Sequence, residues 1–109
     1  MEYFKLELYV PVDYAGKVKA ALAAAGAGRI GNYDSCIWEC PGVGQFRPLP
    51  GSSPFLGREG KVERVPETKL EMVVAADCLD AVLAALRTAH PYETPAFQFW
   101  PVNLGMEEK

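Results

Sequence analysis

Residues 2–10 alternate strictly. Phe4, Leu6, Leu8 and Val10 fall on one side and Tyr3, Lys5, Glu7 and Tyr9 on the other, the pattern of a half-buried strand that Pro11 ends. The period then changes: Tyr14, Val18, Ala21, Leu22 and Ala25 recur at helical spacing, with Asp13 placed to cap the start and Gly26 the end. Residues 35–40 read as a short strand with Cys36, Trp38 and Cys40 on one side and Ile37 on the other. Residues 41–60 carry four prolines among glycines and serines, which predicts an irregular excursion. Strand character returns over 61–75, broken at Pro66, with Leu70, Met72 and Val74 alternating against Lys69, Glu71 and Val73. Asp77 is placed to cap a second helix whose Leu79, Val82, Leu83 and Leu86 form an apolar stripe, and Pro91 stops it. Residues 94–102 read as a last strand.

The predicted order is β-α-β-β-α-β, the split-βαβ, ferredoxin-like arrangement of an α+β fold: a four-stranded, mainly antiparallel sheet. Right-handed crossovers put both helices on one face. The other face would then carry Tyr3, Tyr9, Ile37, Val73 and Trp100, more apolar surface than a monomer usually exposes, which predicts burial between subunits. The alternative is that the long loop or the tail folds over it.

A length of 109 residues fits one domain, 1–109, with a core large enough to dispense with disulfide staples. Eleven Lys and Arg against 14 Asp and Glu, net −3, exclude the clustered positive charge that nucleic acid demands. The first residues have neither basic flank nor apolar run, so no signal peptide is read there, and no apolar stretch approaches the ~20 residues of a membrane span. Three cysteines, an odd set, suit free thiols in a reducing cytoplasm.

Eight of the ten glycines lie within 26–60, which makes that stretch the candidate site. Gly26, Gly28 and Gly31 match G-x-G-x-x-G, but they follow a predicted helix and precede a strand, so carbonyl ends rather than N–H groups would face a phosphate. The segment reads instead as a helix cap and a tight turn that aims Arg29, Asn32, Tyr33 and Asp34. Cys36 and Cys40, on one face of an extended strand, would lie about 13 Å apart, too far for one zinc ion or a disulfide, and read as small core residues. His90, the single histidine, opens HPYETP. It reads either as a cation at a helix C-terminus or, with Tyr92 and Glu93, as a polar cluster for a small ligand or a weakly held metal. Arg47 in QFRPL can fork onto a carboxylate or phosphate, or pin its own loop by a salt bridge. No nucleophile and base pair emerges, and no cofactor is identified.

The blocks GAGRIGNYDSCIW, GVGQFRPLPGSSPFLGREGKVE and HPYETPAF resemble the inserted domain of the Ngg-interacting-factor-three-like (YqfO-type) proteins over almost the whole chain. Those relatives carry a dinuclear metal centre in flanking domains rich in histidine and acidic ligands, outside the blocks of resemblance, so the resemblance does not bring the centre or a cyclohydrolase activity with it. HPYETPAFQFWPV is also similar to the corresponding end of the CutA divalent-ion-tolerance proteins, which share their fold with the PII signalling proteins. That resemblance implies a homo-oligomer, a trimer before a dimer, with ligand clefts between subunits, and places His90 on a motif position linked to copper. Two functional expectations follow. The first is a non-enzymatic ligand-binding or regulatory domain using Arg29, Asn32, Tyr33, Arg47, His90, Tyr92 and Glu93 at a subunit boundary. The second is a divalent-metal binder with His90 as ligand.

Overall fold

In the computed structural model, which describes residues 2–105, the elements follow in the expected order. They are β1 (Tyr3–Pro11), α1 (Ala15–Ala24), β2 (Trp38–Phe46), β3 (Glu63–Ala75), α2 (Leu79–Ala89) and β4 (Phe97–Val102). The sheet order is β2-β3-β1-β4 and every pairing is antiparallel. Leu6, Leu8 and Val10 of β1 and Leu70, Met72 and Val74 of β3 pack with Val18 and Leu22 of α1 and Val82, Leu83 and Leu86 of α2 in one core. Both helices therefore cover the same side of the sheet.

Helix boundaries differ from expectation at their starts. Neither Asp13 nor Asp77 caps a helix, because the 3₁₀ turns Val12–Tyr14 and Ala76–Cys78 carry the backbone from strand into helix, and no side-chain cap bond forms. The end of α1 is as expected. Gly26 adopts φ +112°, and the N–H groups of Gly26 and Ala27 donate to the carbonyls of Ala23 and Leu22, satisfying carbonyls that the helix leaves free.

The larger correction concerns β2. It begins at Trp38 rather than residue 35 and runs through Pro41, Gly42 and Gly44 into what reads as excursion. Its residues are almost all exposed, so hydrogen bonding to β3 rather than burial makes it a strand, and as an edge strand it tolerates proline. Cys40 is consequently exposed and Cys36 lies ahead of the strand, half-buried; neither is the core residue expected, and all three thiols are free. Ile37 packs against the core cluster instead of joining the open face. β3 is not broken at Pro66. The last β1 residue, Pro11, pairs with Glu67, so Pro66 lies where β3 has lost that neighbour and only β2 remains. Beyond that point Val43–Phe46 and Glu63–Pro66 continue as a two-stranded ribbon, and the molecule is correspondingly elongated, 55 × 24 × 21 Å. β4 starts at Phe97, three residues later than read.

On the uncovered face the centre is charged rather than apolar. Lys5 pairs with Glu71 at 3.4 Å, and Lys69 with Glu7 at 3.2 Å and Glu71 at 3.9 Å. The Glu7 hydrogen bond, opposed by some desolvation and helped by the charges of Glu7 and Glu71, holds the Lys69 ammonium above the ordinary lysine value. Tyr3, Tyr9, Val73 and Trp100 surround this lattice by register.

Candidate ligand-binding site

The expected site residues divide between two ends of the sheet. At one end, Gly28 bridges the loop to β3 and to the approach of β2: its N–H donates to the Val73 carbonyl at 2.8 Å, and its carbonyl accepts from Cys36 N–H at 2.9 Å. Ile30 and Tyr33 exchange two backbone hydrogen bonds around Gly31 and Asn32, a tight reversal with Gly31 at φ +58°. This turn presents Arg29, Asn32 and Tyr33 to solvent, Tyr33 at 76% exposure.

At the other end the HPYET segment meets the ribbon. Pro91 forces His90 out of the helix, to ψ +133°, and turns its buried ring inward. One ring nitrogen, Nε2, lies 2.7 Å from the Tyr9 carbonyl, and the other, Nδ1, accepts the Tyr92 N–H at 3.1 Å. Those partners assign the proton to Nε2 and leave the ring neutral. Burial lowers its pKa below 6.5, against the Tyr9 bond and the Glu67 charge, which pull it up. The cation at a helix terminus is therefore replaced by a neutral ring that ties β1 to the 90–92 turn. Both nitrogens have backbone partners, so a metal would have to displace one of them.

Tyr92 is the wall between two clefts. Its hydroxyl donates to Glu67 Oε2 at 2.9 Å, and burial, then that bond and the Glu67 charge, hold the phenol well above the usual tyrosine range. Its ring packs against Phe46 at 5.8 Å and Phe55 at 6.3 Å, and Phe55 meets Tyr14 edge-on at 5.4 Å. On one side a cleft of about 480 Å³ opens over Gly42 and Gly44, with Tyr9, Glu67 and Lys69 around it. On the other, a cleft of about 410 Å³ is lined by Arg47, Phe55 and Glu93, and Glu93 Oε2 accepts the Ser53 N–H at 3.0 Å, tying the loop to the HPYET segment.

The structure thus brings Arg47, His90, Tyr92 and Glu93 together and leaves Arg29, Asn32 and Tyr33 at the opposite end, about 20 Å away by the six residue steps along β3 from Glu67 to Val73. Phe46, Gly42 and Gly44, which also line the site, fall within the 26–60 stretch, whereas Glu67 escapes the sequence reading. Extending the Lys69, Glu71 alternation back through Pro66 would have found Glu67.

Residues 50–108 match the model of the CutA1 divalent ion tolerance protein family. The chain belongs to that family. It is also 47% identical over 96 residues to a Mycobacterium leprae protein named GTP cyclohydrolase 1 type 2 homolog, covering 88% of this chain and 25% of that one. A Bacillus cereus protein related to NIF3 superposes with a TM-score of 0.80 at 39% identity, over 94% of this chain and 26% of that chain. The periplasmic divalent cation tolerance protein CutA from Archaeoglobus fulgidus superposes at 0.68 with 18% identity, covering 96% and 88%, which shows the shared ferredoxin-like fold. The chain spans about a quarter of the length of the curated relatives it matches. Among the described residues, no helix is long and apolar enough to cross a membrane.

Proposed function

We propose that this CutA1-family chain is a non-enzymatic, oligomeric small-ligand-binding or regulatory module of the cytoplasm. The observation that carries this reading is the pair of clefts on either side of Tyr92, built where the glycine-rich segment folds against HPYET. Apolar walls with a few polar groups are what a small-molecule site requires. The engagement of both His90 nitrogens by backbone groups favours recognition over acid–base chemistry. In this reading Arg29, Asn32 and Tyr33, remote within one chain, complete a neighbouring copy's cleft, and the uncovered sheet face supplies the contact. The CutA resemblance favours three copies. Light scattering of the purified chain should give a trimer mass, with Tyr33→Ala and Arg29→Ala weakening ligand uptake but not assembly. A monomer would overturn the shared-site arrangement.

The family's divalent-ion description favours a second reading, a metal binder with His90 as ligand. Equilibrium dialysis against copper or zinc distinguishes it: stoichiometric uptake lost in His90→Gln supports metal binding, and no uptake removes it. The cyclohydrolase activity in the relatives' names is not part of either proposal.

A further inference from the structure

Glu67 is a buried residue, 9% exposed, and among the described residues its side chain has one protein donor, the Tyr92 hydroxyl on Oε2. None of the ion pairs among the described residues includes it, and Lys69, two residues along the same face, is committed to Glu7 and Glu71. A carboxylate accepts at about four lone-pair sites, and one largely withdrawn from water is stable only when those sites are met. Among the described residues no buried side-chain oxygen lacks a partner, so Oε1, which has no protein donor, is open to the larger cleft that Glu67 lines.

The two glycines of β2 explain how it does so. A Cβ on Gly44 would stand 1.9 Å from Glu67 Oε1, so the carboxyl occupies the room a side chain would take. Gly42, directly opposite Glu67 in register, would place a Cβ with nothing within 4 Å, so the space before the carboxyl is open. Tyr9, Phe46 and Tyr92 supply aromatic walls to the same cleft. Aromatic surface around a carboxylate attracts positive charge twice, through the ring faces and through charge-assisted hydrogen bonds, and the one ammonium that lines the cleft, Lys69, is engaged by Glu7 and Glu71. An inorganic cation lacks ligands there, since among the described residues no three His, Cys, Asp or Glu side chains gather to hold one.

We propose that the Gly42–Glu67–Tyr92 cleft binds a small organic cation, an ammonium or amidinium on an apolar body, whose N–H groups bond to Glu67. This names a ligand class for the binding function proposed above and rests on it. The test is an amide-resolved NMR titration of the 109-residue chain with benzamidine, benzyl alcohol and benzoate, which share a ring and differ in charge. Benzamidine should give saturable shifts at Gly42, Gly44, Glu67 and Tyr92, with the alcohol and the anion at least about 10-fold weaker. Glu67→Gln, which keeps shape and removes charge, should weaken benzamidine by about 10-fold or more. Gly42→Val, whose Cβ enters open space and whose methyl groups narrow the cleft, should abolish the shifts in a chain whose remaining spectrum confirms the fold. Benzoate binding as tightly as benzamidine, or unchanged affinity in Glu67→Gln, would overturn the cation assignment while leaving a binding cleft. No saturable shift with any of the three would overturn the cleft as a ligand site and, with it, the function it refines.

Discussion

Glycine serves different ends at the two extremities of the sheet. Around Gly28 backbone meets backbone: φ is +78°, and a Cβ would come within 2.9 Å of both the nitrogen and the oxygen of Cys36. Around Gly42 there is no positive φ and no neighbour, and what the missing side chain leaves is a hollow. The first arrangement fixes a loop to the sheet edge, and the second makes room for something else. Glycine density in a sequence thus marks two unrelated demands, rigidity of path and vacancy, and only the contacts at each position separate them.

The contrast is sharpest in stability. Gly28→Ala should cost about 3 kcal/mol in a urea titration, because it combines an unfavourable backbone region with a clash against immovable main chain. Gly42→Ala should stay within about 0.5 kcal/mol of the parent. Equal costs at the two positions would break the distinction.

Next in size is His90→Ala, which should cost about 2 kcal/mol by orphaning the Tyr9 carbonyl and the Tyr92 N–H beneath the ribbon end. The same ring gives a pH signature. Its pKa is lowered in the folded chain, so its contribution is complete above the unfolded value of 6.5. As pH falls below 6.5 the unfolded chain binds the proton first and this stability is lost, levelling off below the folded pKa. Stability measured against pH should therefore decline more steeply between neutral and mildly acidic pH in the parent than in His90→Gln. Parallel curves would contradict a buried neutral imidazole.

Tyr92→Phe should have a smaller effect, about 1 kcal/mol, since it removes one hydroxyl from Glu67 while the aromatic packing against Phe46 and Phe55 persists. Glu67→Ala removes the acceptor of that hydroxyl, so a double-mutant cycle of Tyr92→Phe with Glu67→Ala should show coupling that a cycle between Tyr92 and Arg29 lacks.

Much of the architecture was legible because burial imposed a period. Leu6, Leu8 and Val10, Leu70, Met72 and Val74, and the Val82, Leu83, Leu86 stripe announce their faces since each must meet the others in one core. β2 was not legible for the converse reason. Its side chains are exposed along most of its length, its middle is Pro-Gly-Val-Gly, and only the hydrogen bonds of β3, far along the chain, hold it extended. Cys40 was misplaced with it. The HPYET half of the site was readable as a polar cluster stopped by Pro91, but the partner of Tyr92 was not. Glu67 follows a proline that looks like a strand break until β1 is seen to end at Glu67. Arg29, Asn32 and Tyr33 were grouped with it across a subunit boundary, through the glycine-rich loops and the CutA resemblance, and within one chain they lie at the other end of the sheet.

Tyr3 and Val102 face each other across β1 and β4, within the roughly 5 Å that separates paired strands. A polypeptide that enters the fold at the first of these therefore leaves it one strand's width away. Ends this close together let a module of this kind join a larger protein at a single point, and the chain matches a quarter of one such relative's length.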